Sequence, residues 1–375
     1  MNDPPVDCQG WVMAGLSADQ IVSYKEQGYL LVEDVIPPAD FQTLIDELNA
    51  TVDRNVHEAH AEGLLADLFE DEPFERRLAR AAAALGDPGT SLDAPIFQGL
   101  TGKLKTEGIF RVATHPEILD IVESMIGGEI LAHPQFNIRP KLPNQDASVV
   151  PWHQDLGYLE PDAEETFMIN FWIPLVDATA ENGCMEVIAG SHRAPLIGHV
   201  RELGPARNFL GIEDADLPAG EQVMCPVKKG SVLLIQHKTI HRSIPNLSDH
   251  IRWSLDLRYS DLAMPTGRDD VPGFTVRSRQ HPERVSKTLA DWLAIMATAE
   301  GAEDLYQTPV GDKKKSTKKT RTLRAHARYA NPGTGANKDT TQTIGGGQTR
   351  LRFGESLSRA FVNKSQEYHH KLCTP

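Results

Sequence analysis

The chain has 375 residues, 40% hydrophobic and 24% charged, a composition that can bury a large core without disulfides or metals as staples. Cys8, Cys184, Cys225 and Cys373 show no CxxC spacing, which excludes a disulfide framework or zinc knuckle and points to a reducing compartment. The net charge of −14 is uneven: residues 311–375 hold 14 Lys+Arg against 4 Asp+Glu, leaving residues 1–310 at −24, an acidic body that argues against nucleic acid as a partner.

In chain order, "MNDPPVDCQG" offers neither a basic n-region nor an apolar run, so no signal peptide is expected. No stretch approaches about 18 apolar residues, so no membrane span is expected either. The terminal "CTP" is not a peroxisomal address, and the expected location is the cytoplasm. Ser17 with Gln20 forms a capping box that predicts a helix to Gln27, stopped by Gly28. "YLLVEDVI" reads as a strand, "PPADFQTLIDELNATVDRNV" as a second helix, and the Ala- and charge-rich residues 59–92 as helical. "THPEILDIVESMIGG" is a further helix, with Pro116 at its first position and Gly127 at its stop.

From residue 130 the hydrophobic period changes to two. It predicts strands over 131–139, 148–156, 166–177, 184–189, 222–227, 231–236, 239–244 and 251–260, with Asn182-Gly183 as a hairpin signal. About eight short strands behind a helical shell predict a mainly β fold, a double-stranded β-helix (jelly-roll, cupin-like) barrel. Residues 261–310 read as irregular, then helical. The expected organisation is one domain over 1–310: a helical part at about 16–128, the barrel at about 130–262 and a helical segment at 280–300. Residues 311–375 read as a basic tail whose composition predicts disorder, with anionic-partner binding a minor role for "KKKSTKK".

"VPWHQDLGYLEP" carries the chemistry. Of four His-x-acid pairs, His60/Glu62 falls in a helical pattern, where i and i+2 diverge by about 200°. His115/Glu117 and His281/Glu283 precede prolines at helix starts. Only His153/Asp155 lies in a strand pattern, where i and i+2 share a face. "LLIQHKTIHRSIPNLSDHIRWSLDLRYSD" offers a third ligand in His241, alternating with Ser243, while His237 and His250 are rivals. Two histidines and one carboxylate are the donor set of non-haem Fe(II) with open positions. Arg252 follows His241 by eleven residues and, with Ser243, suits a carboxylate clamp. Arg258 shares its strand face and reads either as a surface charge or as a competitor for that role.

On "HQDLGY", "NGCMEVIAGSH" at 182–192 and "HRSIPN", the chain resembles the phytanoyl-CoA dioxygenase family of Fe(II)/2-oxoglutarate oxygenases over roughly residues 16–262. The resemblance implies iron held by His153, Asp155 and His241, and 2-oxoglutarate clamped by Arg252 and Ser243. It places Trp172 and Gln135 along the cosubstrate, Gln135 being a departure in residue type. It also implies a cosubstrate lysine upstream of the barrel, Lys103 or Lys105. The expected cofactors are Fe(II), 2-oxoglutarate and O2, and the expected reaction is hydroxylation of an unactivated C–H of a small molecule. Halogenation is disfavoured because Asp155 keeps the carboxylate in place of a small residue. A non-oxidative metal- or ligand-binding barrel and a cupin-like isomerase are the alternatives. Neither needs Arg252 with Ser243 near the metal.

Overall fold

A computed structural model describes residues 15–86, 94–205, 207, 209–268 and 271–297. Helix α1 (Ala18–Gln27) opens on the expected capping box: Ser17 Oγ accepts from the Gln20 amide, and Gln20 Oε1 accepts from the Ser17 amide. Gly28, at φ 78°, ends it, and a Cβ there would collide with His192. Strand β1 (Tyr29–Val32) follows, then helices α2 (Gln42–Ala61), α3 (Phe74–Ala84), α4 (Glu107–Ala113) and α5 (Pro116–Ile126). α5 begins on Pro116 and stops at Gly127, as expected. The helical expectation for 59–92 holds only in part. Gly63, at φ 74°, closes α2, and Pro73 caps α3. Residues 87–93 lie outside the described residues.

The strands are β2 (Glu129–Ala132), β3 (Asn137–Lys141), β4 (Ile169–Pro174), β5 (Met185–Ile188), β6 (Val200–Leu203) and β7 (Phe209–Gly211). After them come β8 (Gln222–Cys225), β9 (Val232–Gln236), β10 (His241–Ser243), β11 (Arg252–Asp261) and β12 (Phe274–Ser278), then helix α6 (Leu289–Ala297). One antiparallel sheet has seven strands in the order β1-β9-β4-β11-β2-β12, with β3 also paired to β11. A three-stranded sheet, β10-β5-β8, faces it across a cavity lined from both sides. The fold is the expected cupin-like double-stranded β-helix with helices outside. Among the described residues no helix is long and apolar enough to cross a membrane.

Alternation in the large sheet decides what reaches the cavity. On β11, Trp253, Leu255, Leu257 and Tyr259 join the core shared with the helices, while Arg252, Asp256 and Arg258 line the cavity. On β4, Ile169, Phe171 and Ile173 face the helices, and Asn170 and Trp172 the cavity. Both faces are buried, so the strands look nearly continuous in hydrophobicity, with polar residues only where the cavity needs them.

Four strand expectations need correction. Residues 131–139 split at 133–136, where Pro134 lacks an amide for the ladder; β2 and β3 pair with opposite ends of β11. Residues 148–156 form no strand: short 3-10 turns (Asp146–Ser148 and Asp155–Tyr158) bracket a single bridge, His153 to His241. Asn182-Gly183 turns the chain, but β4 and β5 on its two sides belong to different sheets, so it closes no hairpin. The segment after 261 contains β12 before its helix, as an edge strand on β2.

Candidate active site

His153 and Asp155 meet by a route different from the strand geometry expected. His153 and His241 exchange backbone hydrogen bonds, each amide donating to the other's carbonyl at 3.0 Å. That bridge sets the two rings 4.2 Å apart between centroids. Asp155 starts the turn after it, and its carboxylate folds back toward both rings. Asp155 Oδ1 lies 3.8 Å from His153 Nε2, and Oδ2 lies 4.0 Å from His241 Nε2. All three side chains are buried.

The ring tautomers follow from the backbone. Each Nδ1 lies 2.9 Å from a carbonyl two residues earlier, Pro151 for His153 and Thr239 for His241. A carbonyl only accepts, so each Nδ1 carries the proton and each Nε2 presents a lone pair. Burial, then the neighbouring His241, pulls the His153 pKa down to about 3, so the ring stays neutral at ordinary pH.

Asp155 is held from the other side. Arg258 Nη2 donates to Oδ1 at 2.8 Å, and Asn170 Nδ2 donates to Oδ2 at 2.5 Å. Burial alone would raise the carboxyl, but the Arg258 guanidinium and the two histidines outweigh it and hold the group well below the usual carboxylate range. Arg258 is therefore neither a surface charge nor a rival clamp. It is 5% exposed, and its Nη1 donates to the Gln135 carbonyl. Its position on the cavity face of β11, two residues beyond Asp256, was the available signal. Asn170 was missed because one asparagine in an apolar strand carries no pattern.

The other end of the cavity is cationic. Arg252 is 2% exposed, with Nε donating to the Gly183 carbonyl at 3.2 Å and Nη1 to Ser254 Oγ at 2.5 Å. Its guanidinium carbon lies 5.0 Å from the centre of the Trp172 ring. Burial lowers its pKa to about 10, which leaves it charged at neutral pH. Beside it, Lys141 Nζ donates to Ser243 Oγ at 3.0 Å and to the Ser148 carbonyl at 2.7 Å. Ser243 Oγ also accepts from the Val150 amide, so its own proton is left to donate elsewhere. Gly183 makes room for this end: at φ 91°, a Cβ there would meet Lys141 Cε at 2.5 Å.

Among the described residues Lys141 lines the cavity, and Lys103 and Lys105 do not. The Arg139-x-Lys141 alternation on β3 was its signal, and the register places Lys141 directly opposite Arg252. Gln135 does not line the cavity; its carbonyl anchors Arg258, while Trp172 does line it. The rival third ligands are elsewhere. His237 is a buried ring whose pKa burial lowers to about 4. His250 bonds to Asn182 and Asp249 in its turn. "GSH" at 190–192 is a turn, in which Ser191 Oγ accepts from the Ile240 amide.

Two Nε2 lone pairs and an ionised carboxylate, buried and within 4.8 Å of one another, fit a divalent transition metal bound on one face with its other positions open. The cationic end fits the far carboxylate of a dicarboxylic acid. Fold and site together define a mononuclear non-haem metal oxygenase. The chain belongs to the phytanoyl-CoA dioxygenase (PhyH) family, whose profile matches residues 24–254. The phytanoyl-CoA dioxygenase domain-containing protein 1 of Rattus norvegicus is 28% identical over 287 residues, 67% of this chain and 92% of that protein. The 1-deoxypentalenic acid 11-beta-hydroxylase of Streptomyces arenae is 28% identical over 258 residues, 61% of this chain and 87% of that protein. A solved non-heme monooxygenase superposes with a TM-score of 0.48 at 19% identity, covering 75% of this chain and 96% of that one. The protein is thus a 2-oxoglutarate-dependent oxygenase, with iron and 2-oxoglutarate as its cofactors.

Proposed function

We propose that this oxygenase hydroxylates an unactivated C–H bond of a small molecule, with His153, Asp155 and His241 holding iron and Arg252, Lys141 and Ser243 holding the far carboxylate of 2-oxoglutarate. The supporting observation is one cavity that carries the buried triad and, across Trp172, the Arg252–Lys141–Ser243 corner. When bound, iron and 2-oxoglutarate supply an oxidant from O2: the keto acid leaves as succinate and CO2, and one oxygen atom enters the substrate.

The chain's own residues set up that reaction. Nδ1–H bonds to Pro151 and Thr239 fix both rings with Nε2 facing the cavity. Arg258 and Asn170 keep Asp155 ionised and oriented. Arg252 offers a planar fork, Ser243 a hydroxyl proton and Lys141 an amine to the cosubstrate. Burial of the triad keeps water from competing for the open positions. The carboxylate at Asp155 fills the place a halide would need, which supports hydroxylation, as does the named reaction of the Streptomyces relative. A barrel or isomerase that works without 2-oxoglutarate would have no use for a second, cationic corner.

The test is succinate formation from 2-oxoglutarate that requires Fe(II), followed by mass analysis of products made under isotopically heavy O2. Heavy oxygen in both succinate and a hydroxylated product is the expected outcome. Turnover of a substrate without succinate formation would overturn the reading. Domain limits of 1–310 and 311–375 are part of the same proposal, the tail lying outside the described residues.

A further inference from the structure

Arg139, Lys141, Arg252 and Arg258 line the cavity, against only two carboxylates, Asp155 and Asp256. A divalent iron and a dianionic 2-oxoglutarate cancel each other, so the loaded cavity keeps a positive surplus. That surplus is placed unevenly. Lys141, Arg252 and Arg258 are 1%, 2% and 5% exposed, whereas the Arg139 side chain is 41% exposed, at the rim. Arg139 bonds Asp256 Oδ2 through Nε alone, at 2.5 Å, and among the described residues no hydrogen bond uses its Nη1 or Nη2. Its two terminal amines are thus a fork held by its base and open at its tip. This cationic mouth sits in a body whose residues 1–310 carry a net −24, so it is the place where field lines would draw in an anion.

We propose that the primary substrate carries a carboxylate and that Arg139 receives it at the rim, a second clamp separate from the Arg252 corner. The proposal deepens the iron/2-oxoglutarate reading and rests on it. A planar guanidinium fork matches a carboxylate bidentately. Thr101, Phe209 and Val150 also line the cavity, offering one hydroxyl and two apolar side chains to a carbon skeleton. Arg258 cannot serve this role, because its Nη groups are committed to Asp155 and the Gln135 carbonyl.

Calorimetry on the full-length protein loaded with Mn(II) separates the two readings in consecutive titrations. The first adds N-oxalylglycine, a non-reacting analogue of 2-oxoglutarate. Its failure to bind would sink the cosubstrate reading, and this inference with it. The second adds benzoate to the N-oxalylglycine complex, with benzamide as the neutral isostere and coenzyme A as a phosphate carrier. Benzoate should saturate a single site and benzamide should not. Arg139→Gln should weaken benzoate roughly 10- to 100-fold, with Arg139→Lys in between, while Arg252→Gln should weaken N-oxalylglycine instead. Thermal melts show whether each variant is folded. Benzoate binding no tighter than benzamide, or unchanged in Arg139→Gln, overturns the proposal. So does coenzyme A binding more tightly than benzoate, which would mark a phosphate. A loss of N-oxalylglycine with benzoate intact in Arg139→Gln would move Arg139 to the cosubstrate corner and overturn it as well.

Discussion

The two ends of the cavity solve the problem of buried charge in opposite ways. At the metal end every polar atom that matters is tied from behind: Nδ1 of each histidine by a carbonyl, and both oxygens of Asp155 by Arg258 and Asn170. That end is electrically settled before any ion arrives. The Arg252 end is not. Two cations, Arg252 and Lys141, lie side by side on paired strands with carbonyls and hydroxyls as partners and, among the described residues, no carboxylate bonded to either. Burial lowers both pKa values, and their mutual repulsion lowers that of Lys141 further. A site that pre-pays its charge can hold an ion tightly in a fixed shape. A site left with unbalanced cations gains by taking up an anion.

Four experiments break or sharpen this contrast. The largest effect should come from Asp155→Ala, which removes a metal ligand and strands Arg258 as a buried, unpaired cation. Metal binding should vanish, and stability should fall by about 3–5 kcal/mol, the cost of breaking a buried pair. His153→Ala and His241→Ala should also lose the metal, yet melt closer to wild type, since neither leaves a buried charge. Equal melting losses in all three would mean that the Arg258 pair contributes nothing special.

Next is Arg252→Ala. Leaving the far carboxylate of 2-oxoglutarate with poor partners costs about 2–5 kcal/mol, roughly 30- to several-thousand-fold in affinity. Metal content should stay at the wild-type level, with Arg252→Lys intermediate. Metal loss on this substitution would show that the two ends are not separable. Arg258→Ala should do the reverse: 2-oxoglutarate affinity little changed in the metal-loaded form, and metal affinity lower by about 10- to 100-fold, as for other groups that orient a ligand. Metal titration of this variant at wild-type affinity would reduce Arg258 to a packing residue.

The smaller effect is on pH. Burial brings His133 and His153 to about 3 and His237 to about 4 in the folded chain. Unfolded, each titrates near 6.5. The unfolded state therefore binds more protons below that value, and stability falls as pH drops from about 6.5 toward 4. Three such groups give a slope of up to about 4 kcal/mol per pH unit in the metal-free protein. The lowered carboxyl of Asp155 acts at lower pH, below the usual carboxylate value. His237→Phe should remove about one third of the slope, measured by denaturant melts across this window. An unchanged slope would show that His237 already carries its proton in the fold.

Chemistry-bearing residues were legible wherever they sat in a pattern of their own. His153, Asp155, His241, Ser243 and Arg252 stand in short polar runs of alternating sense, so residue type and spacing alone pointed to them. Helix ends were equally readable, because Ser17, Gly28, Pro116 and Gly127 act through local backbone chemistry. What needed the tertiary structure was every relation across strands. No pattern in "VPWHQD" says that a lone bridge between His153 and His241, and not a strand, assembles the triad. Spacing from His241 favoured Arg252 as the clamp, but the sequence left the role of Arg258, on the same face of β11, open. Their roles diverge because β3 sets Lys141 opposite Arg252, whereas β4 sets Asn170 opposite Arg258, near Asp155. Local preference fixes helices, caps and which face of a strand turns inward. Strand register, set by residues far apart in the chain, decided which cation meets which carboxylate.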